Sequence, residues 1–246
     1  MRAIILVAGA SRRMGSITDT THKTLLDVGG KPILHRMMTS LEEVGIHDGV
    51  FVYGYMGDKV REYVEQQFPE WSCEWIENPD YAETNTAYSV RLTREAVLAR
   101  DEDVLLLNGD VVLDARPLER TLEANGSTAL AVRYGEMGEE EVKVRLDDTN
   151  RIIEIGKHMP PEDTVGESVG INRLGSDIQE VLYDTLQRRI DHENGAMEFY
   201  EAAFNDMIQR GYRFDVADVT DVPVMEIDTP EDYEEVKKAV VNRLNT

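Results

Sequence analysis

An unbroken apolar run near the start of the chain, Ala3-Ile4-Ile5-Leu6-Val7, stops at a turn of small residues, Ala8-Gly9-Ala10-Ser11. No other feature limits the fold as strongly. A short apolar run without polar alternation, closed by turn residues, is a strand buried on both faces, and such strands lie in parallel sheets covered by helices. The chain then alternates as such a sheet requires. Strands are expected over 50–53, 73–77, 104–107 and 128–134, with helices over 31–44, 58–67, 87–98 and 115–125. Residues 142–146 and 152–155 form a hairpin pattern around Asp147-Asp148-Thr149-Asn150. A strand over 168–172, helices over 176–189 and 197–210, and strands over 213–218 and 223–227 follow. Thr229 and Pro230 suit the N-cap and first position of a last helix. This pattern predicts an α/β fold with a mixed, mostly parallel sheet between helical layers. No linker, repeat or low-complexity stretch divides the chain, so residues 1–246 are expected to form one domain.

Ligands of such sheets sit beyond the carboxyl ends of the strands. Three polar segments follow strands here: the Gly9 turn, the 78–86 loop and Asn108-Gly109-Asp110. They are expected to share one crevice.

Charge narrows the ligand. The chain carries 48 acidic and 26 basic residues, a net charge of −22. So acidic a surface, of the kind found on salt-adapted proteins, excludes nucleic acid and anionic membrane as partners. Yet the first 36 residues hold six basic residues (Arg2, Arg12, Arg13, Lys23, Lys31 and Arg36) against two acidic ones, Asp19 and Asp27. A cationic island in an acidic protein points to a local anionic ligand. Cys73 is the single cysteine, which excludes a disulfide framework and a cysteine metal cluster. Ala3 to Val7 is too short for the apolar core of a secretion signal, and no stretch is long enough to span a bilayer. A cytoplasmic protein is expected.

The opening turn fits neither common nucleotide motif. Gly9 and Gly15 stand one position too far apart for a P-loop, and no Lys-Ser or Lys-Thr follows. Ser11 occupies the place of the second glycine of a dinucleotide fingerprint. What remains is a turn of backbone N–H groups followed by Arg12 and Arg13, a combination suited to phosphate oxygens. Taken alone it fits an exposed turn with surface arginines equally well.

The wider spacing decides between the two. Leu6-Val7-Ala8-Gly9-Ala10-Ser11-Arg12-Arg13-Met14, then His22-Lys23, then Gly30-Lys31-Pro32 resembles the N-terminal pattern of the nucleotide-sugar pyrophosphorylase superfamily of nucleotidyltransferases. The pattern is L-x-A-G-x-G-x-R-(L/M), P-K and G-K-P. Ser11 replaces its second glycine, and His22 replaces the proline before the lysine. Asn85-Thr86-Ala87-Tyr88-Ser89-Val90 is similar to a segment of the phosphocholine cytidylyltransferase-like branch. The resemblance implies a Rossmann-like three-layer sandwich of the nucleotide-diphospho-sugar transferase type. It implies transfer of CMP from CTP to a small phosphorylated alcohol, amine or phosphonate, with release of pyrophosphate. Asp110 and Asp228, in Asn108-Gly109-Asp110 and Glu226-Ile227-Asp228-Thr229-Pro230, correspond to carboxylates that bind Mg2+. Arg13, Lys23 and Lys157 correspond to catalytic cations. Ala8, Gly9, Ala10, Ser11, Arg13, Lys23, Asn85 and Thr86 are expected at the nucleotide. Lys157, Glu167, Tyr88, Glu198 and Glu201 are expected at the acceptor. Glu198 and Glu201 fit a solvated helix face equally well, and Arg12 has no assigned role. A homodimer is the assembly to test.

The chemistry agrees with these residue types. Nucleotidyl transfer brings an anionic nucleophile to an anionic phosphorus centre, so the site must neutralise charge and align both partners. Magnesium held by one or two carboxylates together with substrate phosphates suits that task. Two other enzymes and one binder compete with this reading. A sugar-1-phosphate nucleotidyltransferase would use another nucleoside triphosphate at the same residues. A glycosyltransferase would place D-x-D at the end of a central strand, whereas Asp101-Glu102-Asp103 precedes its strand. A non-catalytic nucleotide-binding module would not need both carboxylates.

Overall fold

The computed structural model describes residues 1–192 and 195–244. The apolar run becomes β1 (Arg2–Val7), buried along its whole length. It lies between β2 (Asp48–Tyr53) and β4 (Val104–Asn108), parallel to both, and β3 (Ser72–Glu77) extends the parallel set beyond β2. Beyond β4 the direction changes. Strand β9 (Gly166–Leu174) runs antiparallel to β4 and to β6 (Ala129–Tyr134), and β10 (Asp215–Asp218) pairs in parallel with β6. The order is therefore β10-β6-β9-β4-β1-β2-β3. The hairpin of β7 (Lys143–Leu146) and β8 (Ile152–Gly156) pairs with the start of β9. A separate antiparallel pair joins β5 (Val111–Leu113), three residues that are too short to show a period in the sequence, to β11 (Val224–Glu226).

Alternation along β1 divides the core into two layers. Ala3, Ile5 and Val7 pack with Leu34, Met37 and Leu41 of α1 (Ile33–Glu43), Val60 and Val64 of α2 (Gly57–Gln67) and Leu118 of α5 (Ala115–Glu123). Ile4 and Leu6 pack on the opposite face. Their partners include Val90 of α3 (Thr86–Leu92), Val97 of α4 (Arg94–Leu98), Leu182 of α6 (Ser176–His192) and Phe204 of α7 (Glu201–Gln209). A third cluster seats α8 (Pro230–Leu244) through Val236 against Met14, Val28 and Val112. That contact brings the C-terminal segment back to the opening turn.

Two helices depart from the expected bounds. The helix over 87–98 breaks at Thr93, which is fully buried and gives its hydroxyl to the Val90 carbonyl at 2.7 Å. Such a back-bond competes with the helical ladder. The helix over 197–210 begins only at Glu201. The residues before it form a short 3-10 turn, Gly195–Met197, and an open segment that carries Phe199. This segment is bonded to the start of α3, with Asn85 N–H donating to the Ala196 carbonyl at 2.7 Å and Ala87 N–H to that of Glu198 at 3.1 Å. Among the described residues no helix is long and apolar enough to cross a membrane.

Candidate active site

A cleft of about 360 Å³ opens at the carboxyl ends of the parallel strands. The turn after β1 supplies Ala8, Gly9 and Ser11; Ala10 does not line it. Ser11 adopts φ 50°, ψ 44°, the left-handed conformation that a glycine would meet without strain. The small side chain tolerates it and lets the chain turn into the 3-10 segment Arg12–Thr18. Arg12 and Arg13 of this segment both line the cleft, and Arg12 also donates to the Ala82 carbonyl at 3.3 Å and so ties the turn to the 78–86 loop.

The cations and carboxylates meet at the floor. Lys23 Nζ lies 2.7 Å from Asp110 Oδ2 and 3.2 Å from Asp228 Oδ1, and Arg13 Nη2 lies 2.9 Å from Asp228 Oδ2. Burial alone would lower the Lys23 pKa, but the charges of Asp110 and Asp228 outweigh it and hold the pKa above its ordinary value. Asp228 is shifted below the usual carboxylate range, because Lys23 and Arg13 outweigh the burial that would raise it. Four groups far apart in the chain thus form one charge-balanced cluster.

His22 stands where the superfamily pattern has proline. Its backbone adopts φ −59°, ψ 140°, within the range a proline ring would impose. Its Nδ1 accepts from the Thr24 N–H at 3.2 Å, which caps the 3-10 turn Lys23–Leu25. Burial, followed by the neighbouring Lys23 charge, pushes the imidazole pKa down to about 4, so the ring is neutral near pH 7. Both features fix the backbone of Lys23. His22→Pro is therefore expected to keep turnover within a few-fold of wild type and to lose about 1 kcal/mol of stability with the cap. His22→Gly should reduce turnover further. Parallel pyrophosphate-release assays and urea melts on the two variants check this.

At the β9 side of the cleft the lining changes. Lys157 follows β8, and its ammonium sits 4.6 Å from the centre of the Phe199 ring. Phe199 is 38% exposed, an unusual state for a phenylalanine, and its exposed surface belongs to the cleft. Beside them Glu201 is 4% exposed, and its Oε2 has no hydrogen-bond partner. Burial pushes the Glu201 carboxyl up to about 7. Glu226, at the end of β11, lines the same cavity with its side chain exposed. Desolvation by the cleft walls, with the negative charges of Asp110, Asp228 and Glu167, raises its pKa well above the carboxylate range.

The raised Glu201 pKa has a consequence for stability. The folded state binds this proton more tightly than the unfolded chain, whose ordinary value is 4.5. Its favourable contribution is complete below about pH 4.5 and is lost as pH rises through about 7. Glu201→Gln is expected to resist that loss. Relative to wild type it should gain stability between pH 5 and pH 8, by an amount on the order of 2–3 kcal/mol. Urea unfolding of both proteins at the two pH values measures the difference.

Three residues assigned to the acceptor from the sequence are turned elsewhere. Glu167 is paired with Arg133, while its neighbour Ser168 lines the cleft instead. Tyr88 gives its hydroxyl to Asp80 at 3.1 Å and packs its ring under the Arg91 guanidinium. Glu198 is held by Arg189 through contacts of 2.7 and 2.9 Å. Asn85 and Thr86 do line the cleft, and the Thr86 hydroxyl also accepts from Tyr200 N–H at 3.2 Å. Several lining residues carry no motif in the sequence. Asn78 is one: it donates to Thr84 and Ser89 at 3.1 and 3.2 Å and so shapes the wall of the 78–86 loop. Asn108, within the expected Asn108-Gly109-Asp110 segment, accepts from the Tyr200 hydroxyl at 3.2 Å.

The carboxylates fit a hard divalent cation. Asp110 and Asp228 already converge on one positive group from two directions, and all their donor atoms are oxygens, the ligand type magnesium takes. Among the described residues no cluster of three or more His, Cys, Asp or Glu could hold a metal by itself. Substrate phosphates would have to supply part of the coordination.

Comparison with known proteins places this geometry. The model of the MobA-like NTP transferase domain family matches residues 3–162. CMP-5'-(3-aminopropyl)phosphonate synthase of Streptomyces rubellomurinus is 29% identical over 94% of this chain and 37% of its own length. Choline-phosphate cytidylyltransferase of Haemophilus influenzae is 38% identical over 46% of each chain. The chain thus spans less than half the length of either curated relative in these matches. Among solved structures, CTP:phosphocholine cytidylyltransferase from Streptococcus pneumoniae superposes with a TM-score of 0.80 at 20% identity, over 97% of this chain and 98% of that one. The mixed, mostly parallel sandwich is that fold.

Proposed function

Since this chain belongs to the MobA-like NTP transferase domain family, we propose that it is a Mg2+-dependent cytidylyltransferase. It transfers CMP from CTP to a small phosphate or phosphonate acceptor that bears an amine. The observation that carries this reading is the convergence of Arg13, Lys23, Asp110 and Asp228 at one point of the cleft floor. That cluster provides cations for a triphosphate and carboxylates for its counter-ion.

An acceptor oxygen attacks the α-phosphorus of CTP in line with the departing oxygen. A new P–O bond forms, the α–β bridging P–O bond breaks, and its electron pair leaves on pyrophosphate. The amides of the Gly9–Ser11 turn and Arg13 hold the β- and γ-phosphates, and Lys23 moves onto the phosphates where charge accumulates. Asp110 and Asp228 would hold Mg2+, which supplies charge neutralisation of the phosphate oxygens when bound. Lys157, positioned on the Phe199 ring, receives the acceptor phosphate. No general base is required, because a phosphate monoester or phosphonate is ionised near neutral pH.

The amine follows from the far wall. A buried carboxylate with an unpaired oxygen and an exposed aromatic ring make a place for an ammonium group. The names of both curated relatives combine a phosphorus acid with a nitrogen cation, the amino group of aminopropylphosphonate or the quaternary ammonium of choline phosphate. Pyrophosphate release across the four nucleoside triphosphates, paired with phosphocholine, aminoalkylphosphonates, polyol phosphates and sugar 1-phosphates, tests the reading. CTP with an amine-bearing acceptor is the expected pair. Turnover with sugar 1-phosphates and another nucleotide would replace it by a sugar nucleotidyltransferase. Silence with every pair would leave a nucleotide-binding module.

A further inference from the structure

We propose that Lys23 occupies the cation position of the resting site and yields it only to a divalent cation that arrives with nucleotide phosphates. The ammonium contacts one oxygen from each carboxylate, at 2.7 and 3.2 Å, and its side chain is only 10% exposed. It is lodged between the two groups, with little of it open to solvent. A divalent cation bridging the same oxygens would have to stand in its place.

The backbone that carries the carboxylates is pinned. Asp110 follows Gly109, whose N–H is bonded to the Leu6 carbonyl at 3.0 Å. The Asp228 backbone N–H is bonded to Asp232 at 3.0 Å, as is that of Thr229 at 2.8 Å, within the cap that starts α8. Lys23 is the movable member, a point charge on a four-carbon stem. For a bare metal ion the exchange is unfavourable. It must shed water, which magnesium does reluctantly, and displace an ammonium already held by both carboxylates. The reward is two carboxylates, without a third protein ligand among the described residues. Nucleotide phosphates change both sides of the exchange. They complete the coordination of the ion, and they offer the ammonium a new anion to bind. Metal and nucleotide therefore bind with positive coupling, and that coupling is reciprocal.

The inference rests on Asp110 and Asp228 as the metal carboxylates, but not on cytidine or on the acceptor. Binding of Mn2+ to the full chain without nucleotide, read as loss of the free-ion electron paramagnetic signal, tests it. Wild type is expected to bind Mn2+ weakly. Lys23→Met, of similar shape but uncharged, should bind it at least about tenfold more tightly, and adding Asp110→Asn should reverse the gain. Equal affinities for wild type and Lys23→Met would overturn the proposal. If Asp110→Asn nevertheless abolished nucleotide-dependent uptake by wild type, the metal assignment would stand without it. Tight binding that survived Asp110→Asn would overturn both. Should Lys23→Met fail to fold, wild type alone decides: binding one Mn2+ without nucleotide as tightly as with a non-hydrolysable CTP analogue would refute the proposal.

Discussion

Replacing Asp110 by Asn is expected to lower pyrophosphate release by about three orders of magnitude while the protein stays folded. The carboxylate stands at the end of β4, where it holds Lys23 at 2.7 Å. Asparagine keeps the shape and removes the charge, so the site loses half of its anionic donor set for the metal. Removal of one preorganised electrostatic partner from a transferring group costs about 10²–10³ in rate, and a metal ligand belongs at the upper end. Stability should change little, because Asp228 still pairs with Lys23 at 3.2 Å and with Arg13 at 2.9 Å. Steady-state assays with circular dichroism melts separate the two effects. Turnover within tenfold of wild type would remove Asp110 from the metal site.

A second variant acts through packing. At Gly109 a Cβ atom would lie 2.4 Å from the Leu6 carbonyl oxygen and 2.7 Å from Val7 Cγ1. Both neighbours belong to β1, an interior strand paired on both sides, and cannot move away cheaply. Gly109→Ala should push the end of β4 away from β1 and carry Asp110 with it. Overpacking of this kind costs about 1–3 kcal/mol. For a chain of this size that corresponds to a fall in Tm of about 3–10 °C. A displacement of the catalytic group on the order of 1 Å would add a rate loss of about 10²-fold. Differential scanning calorimetry and the pyrophosphate assay measure both. The ratio of the two losses distinguishes this variant from Asp110→Asn, which should lose activity alone.

How far the sequence reaches depends on where a residue stands relative to a strand end. Asp110 follows an apolar run, so topology alone brings it to the crevice, and the same holds for the Gly9 turn. Arg13, Lys23 and Asp228 needed the resemblance, because nothing in their local spacing says that they meet. The β9 side of the cleft is less legible. Strand β9 is buried at all nine positions, so its hydrophobicity does not alternate and cannot tell Glu167 from Ser168. Glu198 and Glu201 share a spacing of three, but α7 starts at Glu201, and Glu198 lies before it within reach of Arg189. Tyr88 falls on a helix whose cleft-facing side is set by its contacts with 195–200, and those are not written in its own neighbours. The 3-10 turns and β5 are too short to leave a period.

The reversal of direction at β9 divides the labour of the cleft. Residues expected to grip the nucleotide come from the parallel strands and the loops behind β1 and β3. Phe199 and Glu201 lie on a separate stretch of chain, beyond the 3–162 segment that the family model matches. They are attached to the rest of the cleft mainly through the start of α3 and the β7–β8 hairpin. On the proposed reading, substitutions there would alter which acceptor is admitted while leaving the groups expected at the triphosphate in place. Such an architecture would make donor chemistry and acceptor choice separately heritable, so that one scaffold could change its clientele by rewriting a single wall.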